Sequence, residues 1–448
     1  MKYSGYNIFS KIRDSENYFI INLLTGNADI LDADEAKKVE ALKNGAEPDD
    51  ERFASEMSEK GYLTDDAEES ALYRRRYLDF IDARDNEEIQ IFFVTNYSCN
   101  FACSYCYQDQ YNNPHQELSD EIIDSFFSYV NREFAGRKKY ITVFGGEPLL
   151  NSPKQKELIS RIIKRSNESD LELSFVTNGY FLEEYGEILS SGKIREVQVT
   201  LDGPEAVHDE RRFLKGGAGT FSKIVKGIDA CLDKGIDLNL RMVVDRENIS
   251  SLSDLAEFAI KKGWTKSPLF KTQIGRNYEL HHCQSAPDKL FSRISLFEQI
   301  YELTKKHPHI TDFYKPAYSV SKFLSENGEL PDPLFDSCPA CKTEWAFDYT
   351  GRIYSCTATV GKNDEMLGTF YPAVTLKSDI VSQWEERDVT SIKGCRDCSL
   401  QLACGGGCGS IAKNRTGEIC SPDCRPVKEL LELGFAAYIE NNEILEIH

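Results

Sequence analysis

With 448 residues and a formal net charge of -20, the chain has material for two or three domains of about 100 to 200 residues each. No run approaches the roughly 18 uncharged apolar residues of a membrane span, and the acidity opposes nonspecific binding to nucleic acid or anionic lipid, which takes a basic face. Fourteen cysteines, with no apolar signal segment in Met1-Lys-Tyr-Ser-Gly-Tyr6, lead us to expect a cytoplasmic chain whose thiols serve metal rather than disulfides.

The first elements occupy residues 1–65. Tyr18 to Leu24 reads as a strand, Thr25-Gly-Asn-Ala28 as a turn and Asp29-Ile-Leu31 as the returning strand. Asp32 or Asp34 would cap a helix through Leu42, and Asp50 to Lys60 would form a second, stopped by Gly61 before a short strand at Tyr62-Leu63. This order resembles the winged helix-turn-helix of RiPP recognition elements, which grip the leaders of precursor peptides; a plain packing domain is the other reading. Residues 66–87, charged and containing Arg74-Arg-Arg76, predict a linker helix.

From 88 to 310 strand and helix alternate. Strands are expected at Ile89 to Val94, Tyr140 to Phe144, Leu171 to Val176, Glu196 to Leu201, Leu238 to Val244 and Leu269 to Thr272. Helices are expected near Ser119 to Phe134, Lys154 to Arg165, Glu183 to Ser190, Phe221 to Lys234, Leu252 to Lys262 and Lys289 to Lys305. Six such units argue for an α/β fold with a parallel sheet and right-handed crossovers, with chemistry at the carboxyl ends of the strands. The conspicuous motifs fall there: the cysteines after the first strand, Gly145-Gly-Glu-Pro148 after the second, Thr177-Asn-Gly179 after the third and Asp202-Gly-Pro204 after the fourth.

Cys99, Cys103 and Cys106 stand as C-x3-C-x2-C. Three thiolates can hold three irons of a [4Fe-4S] cube and leave the fourth open, whereas a structural zinc site takes four closed ligands. The trio, with Tyr105 before its last cysteine, resembles the cluster motif of the radical S-adenosylmethionine (SAM) enzymes, many of which are open (β/α)6 barrels. The resemblance makes Cys99, Cys103 and Cys106 the catalytic cluster ligands and Gly145, Gly146, Glu147 and Pro148 the segment that binds the SAM amino group. Tyr105, Thr177, Asn178, Asp202, Arg212 and Arg241 become further SAM contacts, with ordinary turns and surface ion pairs as the plainer alternatives. Cys231, on an expected helix, reads as a buried apolar residue, and Cys283 also stands apart.

The segment 311–448 carries the second pattern. Cys341-x9-Gly351-x4-Cys356, then Cys395-x2-Cys398-x5-Cys404-x3-Cys408, then Cys424, resembles the SPASM extension of radical SAM enzymes, which carries auxiliary [4Fe-4S] clusters. The resemblance implies one cluster on Cys341, Cys356, Cys408 and Cys338, and another on Cys395, Cys398, Cys404 and Cys424. Whether Cys338 is a ligand stays open, as does Cys420 in place of Cys424. Gly405-Gly-Gly407 suits backbone passing close to a cluster.

Three [4Fe-4S] clusters and SAM would make this an oxidoreductase that forms a thioether, or a related cross-link, in a precursor peptide held by its leader. Its partners would be that peptide and a flavodoxin or ferredoxin-type electron donor, with neither nucleic acid nor membrane. Two other readings remain. An anaerobic sulfatase maturase would carry an aspartate where this chain has Thr357, and a non-catalytic iron-sulfur carrier would have no use for the Gly145 to Pro148 segment.

Overall fold

The computed structural model describes residues 1–106, 108, 117–276 and 287–439; Cys283 lies outside them. The chain opens with β1 (Lys2–Tyr3) and an antiparallel sheet of β2 (Asn7–Lys11), β3 (Tyr18–Asn22) and β4 (Asn27–Leu31). Next come α1 (Ala33–Lys43), α2 (Glu51–Glu59) and β5 (Leu63–Thr64), which pairs with β1. Asp32 caps α1 in a reciprocal box with Glu35, satisfying N–H groups that the first turn leaves free. The long α3 (Asp66–Asn86) follows the range expected for the linker, and none of its residues is fully buried. β1 and β2 escaped sequence reading because they are short and flanked by polar residues.

The expected six-strand alternation runs through β6 (Ile89–Val94), α4 (Asp120–Glu133), β7 (Lys139–Phe144), α5 (Pro153–Glu168), β8 (Leu173–Thr177) and α6 (Leu182–Leu189). It continues with β9 (Ile194–Thr200), α7 (Glu205–Arg211), α8 (Phe221–Asp233), β10 (Leu238–Val244), α9 (Leu252–Lys261), β11 (Phe270–Arg276) and α10 (Arg293–Lys306). β6 to β11 lie side by side in chain order, every neighbouring pair parallel. Every residue of β6 except Gln90 is buried, as a strand covered on both faces requires. Cys231 is buried in the same core.

After α11 (Ile310–Phe313) and α12 (Ser321–Asn327), the strand β12 (Glu344–Asp348) pairs in parallel with β6 on its free side. β13 (Arg352–Tyr354), β14 (Gly368–Thr369) and β15 (Thr375–Leu376) continue antiparallel from it, so one ten-stranded sheet crosses the expected boundary at 310/311. The chain then forms α13 (Ser378–Glu385), α14 (Gln401–Cys404), α15 (Gly409–Thr416) and α16 (Val427–Tyr438). The N-terminal sheet has two packed faces: Ile20 and Leu31 form a core of their own with Val39, Leu42, Met57 and Tyr62, while Ile8, Phe19 and Leu23 share another with Phe335, Leu431 and Phe435, and Phe19 stacks on Phe435 at 4.4 Å between centroids. Among the described residues no helix is long and apolar enough to cross a membrane.

Candidate active site

Strand β6 ends at Val94, and the loop beyond it carries the thiol trio. Two sets of backbone bonds fix that loop. Gly146 N donates to Asn96 O (2.8 Å) and Glu147 N to Ser98 O (2.8 Å), joining the loops after β6 and β7. On the other side Ala102 N donates to Phe213 O (2.9 Å), Ser104 N to Arg211 O (3.1 Å) and Lys215 N to Asn100 O (3.0 Å). Sequence reading reserved Gly145 and Gly146 for a ligand; the structure gives a second reason for them. A Cβ on Gly145, whose φ is +151°, would overlap Asn96 O, and one on Gly146 would overlap Ser98 O and the Tyr97 carbonyl carbon.

Glu147 is buried and its carboxylate is filled from within the protein. Oε1 accepts from Thr177 Oγ1 (2.6 Å) and Leu149 N (2.8 Å), and Oε2 from Asn178 N (2.6 Å). Burial raises its pKa, against these three hydrogen bonds. Pro148 lends its carbonyl to Gln155 Nε2 (2.7 Å). Asn178 reaches the trio, donating from Nδ2 to Asn100 Oδ1 (2.8 Å) and lying 3.7 Å from Cys99 Sγ.

Asp202, Tyr105 and Arg212, all expected at the cofactor, bind one another. Asp202 Oδ2 accepts from Tyr105 OH (2.6 Å) and Arg211 Nε (3.4 Å), and Oδ1 from Val243 N (3.0 Å). Both oxygens thus accept from protein donors, which makes Asp202 an organiser of this group of side chains. The Tyr105 hydroxyl also accepts from Arg212 Nη1 (2.7 Å), and Arg211 is fixed by Asp245 (3.1 and 2.9 Å). His208 braces the group, with Nδ1 accepting from Asp202 N (3.1 Å) and Nε2 facing Thr220 Oγ1 (3.1 Å). Arg241 on β10 lies across Gly275, where any Cβ would touch the guanidinium.

Several buried polar atoms in this region have no hydrogen-bond partner among the described residues: Asn96 Oδ1, Asn100 Nδ2, Arg212 Nε and Arg241 Nε. Such atoms cost about 1–3 kcal/mol each unless something fills the site. The Cys99 thiol is pushed up to about 12, first by burial and then by the negative charge of Glu147. Buried thiols of this kind become thiolates only beside a strong positive charge, and a metal centre is one. Among the described residues no three His, Cys, Asp or Glu side chains converge as ligands of a single ion. A cube spreads its thiolates over different irons, so the trio fits a cluster better than one zinc.

The C-terminal thiols fall into two groups. The charge of Cys356 is felt by Cys341, that of Cys338 by both Cys341 and Cys356, and that of Cys408 by both Cys338 and Cys356; burial raises the pKa of Cys338, Cys341 and Cys356. Cys395 is pushed up to about 11 by burial and then by Cys404, Cys398 and Cys424, and Cys424 itself feels Cys404 and Cys398. Cys420 is exposed.

Sequence reading missed what holds these groups. Arg387 is fully buried and donates to the carbonyls of Gly406 (2.8 Å), Gly407 (3.0 Å), Ile419 (2.9 Å) and Ser421 (3.0 Å), so it carries the triglycine loop. Asp336 pairs with Lys342 (2.6 Å), both buried, below the first thiol group. Asp423 accepts from Cys408 N (3.2 Å) and pairs with Arg293 (2.6 Å). An isolated Arg or Asp gives no periodic signal, so only the fold reveals these roles. Thr357 donates from N (2.7 Å) and Oγ1 (3.0 Å) to Glu344, a buried carboxyl.

The parallel sheet of β6 to β11 thus carries the thiol trio just beyond the carboxyl end of its first strand. Residues 93–259 match the Radical SAM superfamily, whose members bind SAM and a [4Fe-4S] cluster. The chain is 34% identical over 176 residues to a probable GTP 3',8-cyclase of Archaeoglobus fulgidus, covering 38% of this chain and 55% of that protein, so it spans about half of that relative's length. It is 24% identical over 362 residues to a serine-type anaerobic sulfatase-maturating enzyme of Bacteroides thetaiotaomicron, covering 71% of this chain and 82% of that one. The solved structure described as native anSMEcpe with bound AdoMet and Cp18Cys peptide has a similar fold, with a TM-score of 0.61, 18% identity and coverage of 79% and 98%.

Proposed function

We propose that this protein is a peptide maturase that forms a thioether, from cysteine sulfur to carbon, or a related cross-link in a ribosomally made precursor peptide. The observation that carries the reading is the presence, in one molecule, of the trio after β6 and two separate four-thiol groups. Cross-linking by loss of two hydrogens releases a surplus electron, and auxiliary clusters give it a destination. SAM and the cluster would together supply a 5′-deoxyadenosyl radical able to take hydrogen from an unactivated carbon.

The chain's own residues have defined parts in this reading. Cys99, Cys103 and Cys106 would hold three irons, and the unpartnered Asn96 Oδ1, Asn100 Nδ2, Arg212 Nε and Arg241 Nε would meet the polar groups of SAM. Glu147 would keep the loops after β7 and β8 closed around it. Cys338, Cys341, Cys356 and Cys408 would bind one auxiliary cluster, and Cys395, Cys398, Cys404 and Cys424 the other. Residues 1–65 would take the leader, and a flavodoxin or ferredoxin would supply electrons.

The likeness to a sulfatase-maturating enzyme supports a second reading, formylglycine formation. Against it, that subfamily's aspartate is Thr357 here, which is spent on Glu344. Anaerobically reconstituted protein given SAM and dithionite should form 5′-deoxyadenosine. Coexpression with a precursor peptide, sought in short reading frames near its gene, should remove two hydrogens from that peptide per cross-link. An unchanged peptide mass overturns the cross-linking reading, and conversion of a sulfatase peptide to formylglycine favours the second.

A further inference from the structure

The two auxiliary thiol groups differ in their access to solvent. In the first, Cys338, Cys341 and Cys356 are buried and Cys408 is half-buried; in the second, Cys398 is half-buried and Cys424 exposed. A carrier protein exchanging single electrons can therefore bring its own redox centre nearest at the second group.

The surface around that group has an unusual charge. Lys393 and Arg396 flank Cys395, Arg425 follows Cys424, and Lys428 lies in the first turn of α16. Lys393, Arg396 and Lys428 are exposed and Arg425 is half-buried. Among the described residues none of the four is held in an ion pair, and Arg396 gives its Nε to the Thr390 carbonyl at 2.6 Å. Nearby cations are neutralised instead: Lys413 by Glu365 (2.6 Å), Arg293 by Asp423 (2.6 Å) and Arg415 by Asp423 (3.3 Å). The exposed acids on the same segments are Asp397 and Glu429, so the rim holds four cations against two anions.

On a chain of net charge -20, such a rim departs from the average surface. An acidic protein would be repelled by most of the molecule and steered to this place, because complementary potentials raise the encounter rate and set orientation. Resting on the radical SAM reading, we propose that Lys393, Arg396, Arg425 and Lys428 form the docking rim for an acidic one-electron carrier protein of flavodoxin or ferredoxin type, seated over Cys398 and Cys424.

The test uses full-length, anaerobically reconstituted protein without SAM and follows binding of a fluorescently labelled, oxidised flavodoxin. Wild-type affinity should fall about tenfold or more as salt rises from about 20 to about 300 mM, where charges are screened within several ångströms. The K393E/R396E/K428E variant should bind about tenfold more weakly at low salt, while K138E/K164E/K266E, with the same charge change on exposed barrel positions, should bind like wild type. Equal weakening in both variants would assign the effect to overall charge and overturn the rim. So would unchanged binding by the rim variant, or a rim variant that loses only the precursor peptide. If the triple variant loses iron, K393Q/K428Q must still weaken flavodoxin binding about twofold or more for the proposal to stand. Failure to form 5′-deoxyadenosine with dithionite would undo the radical reading and leave this binding result intact.

Discussion

Both oxygens of Glu147 are occupied by donors from three backbone or side-chain groups, so its ionised form organises the loops after β7 and β8. Glu147→Gln replaces one oxygen with a donor and sets it against the Asn178 N–H or the Thr177 hydroxyl. The variant should lose about 1–3 kcal/mol of stability and bind SAM more weakly, measured by urea unfolding and by equilibrium dialysis. His208 gives a pH-dependent counterpart. Burial first, and then the charges of Arg212 and Arg211, hold its pKa well below the usual histidine range. As pH falls through about 6.5 the unfolded chain takes up a proton that folded His208 refuses, so stability is present above that value and lost below it. For this one group the slope can reach at most about 1.4 kcal/mol per pH unit. His208→Asn keeps an acceptor for Asp202 N–H but cannot take the proton. Its unfolding midpoint should depend less steeply on pH across that window, and an unaltered slope would place the acid sensitivity elsewhere.

At the level of elements, the loops after β6 and β7 act as one unit because their backbones touch where Gly145 and Gly146 have no side chains. Gly146→Ala would push one backbone from the other. We expect a loss of about 1–3 kcal/mol and, if the proposed three clusters are bound, of about one-third of the iron, as read by urea unfolding and by iron analysis. Uniform iron loss from every site would instead indicate general unfolding. The strands that carry these loops were legible in sequence because buried parallel strands are continuous apolar runs, as in Ile91-Phe-Phe-Val94. β12 was not, since Glu344-Trp-Ala-Phe-Asp348 alternates too little to announce a partner, and its place beside β6 depends on contacts more than two hundred residues away. For the same reason the cysteines declared themselves through spacing, while Arg387 and Asp423 became visible only through the carbonyls and amides that they reach.

Across the whole molecule, the two ends of the chain and the thiol groups are mechanically joined. Arg13 N donates to Glu432 O (3.2 Å) and Ser10 to the Glu432 carboxylate, which fixes the N-terminal sheet to α16. α16 begins just after Cys424, and Tyr73 of α3 donates to Gln401 (2.8 Å), whose amide in turn holds the Cys398 carbonyl (3.1 Å). The buried thiols of Cys341 and Cys356 have pKa values raised by burial and by each other or their neighbours, so the metal-free protein keeps them protonated, and in the proposed reading it lacks the cluster that would join distant segments. Chelation of iron should therefore lower the melting temperature by about 10 °C or more, since ligands that bind only the folded state stabilise it by mass action. Proteolysis of the chelated protein should open first between Cys338 and Cys424, while the sheet of β6 to β11 persists, supported by its own core. Because α16 leaves that region and seats the first domain, cleavage there should also loosen residues 1–65, detectable as faster amide exchange in β2 and β3. Protection in β2 and β3 that survives chelation and cleavage would show that the N-terminal sheet stands without its anchor.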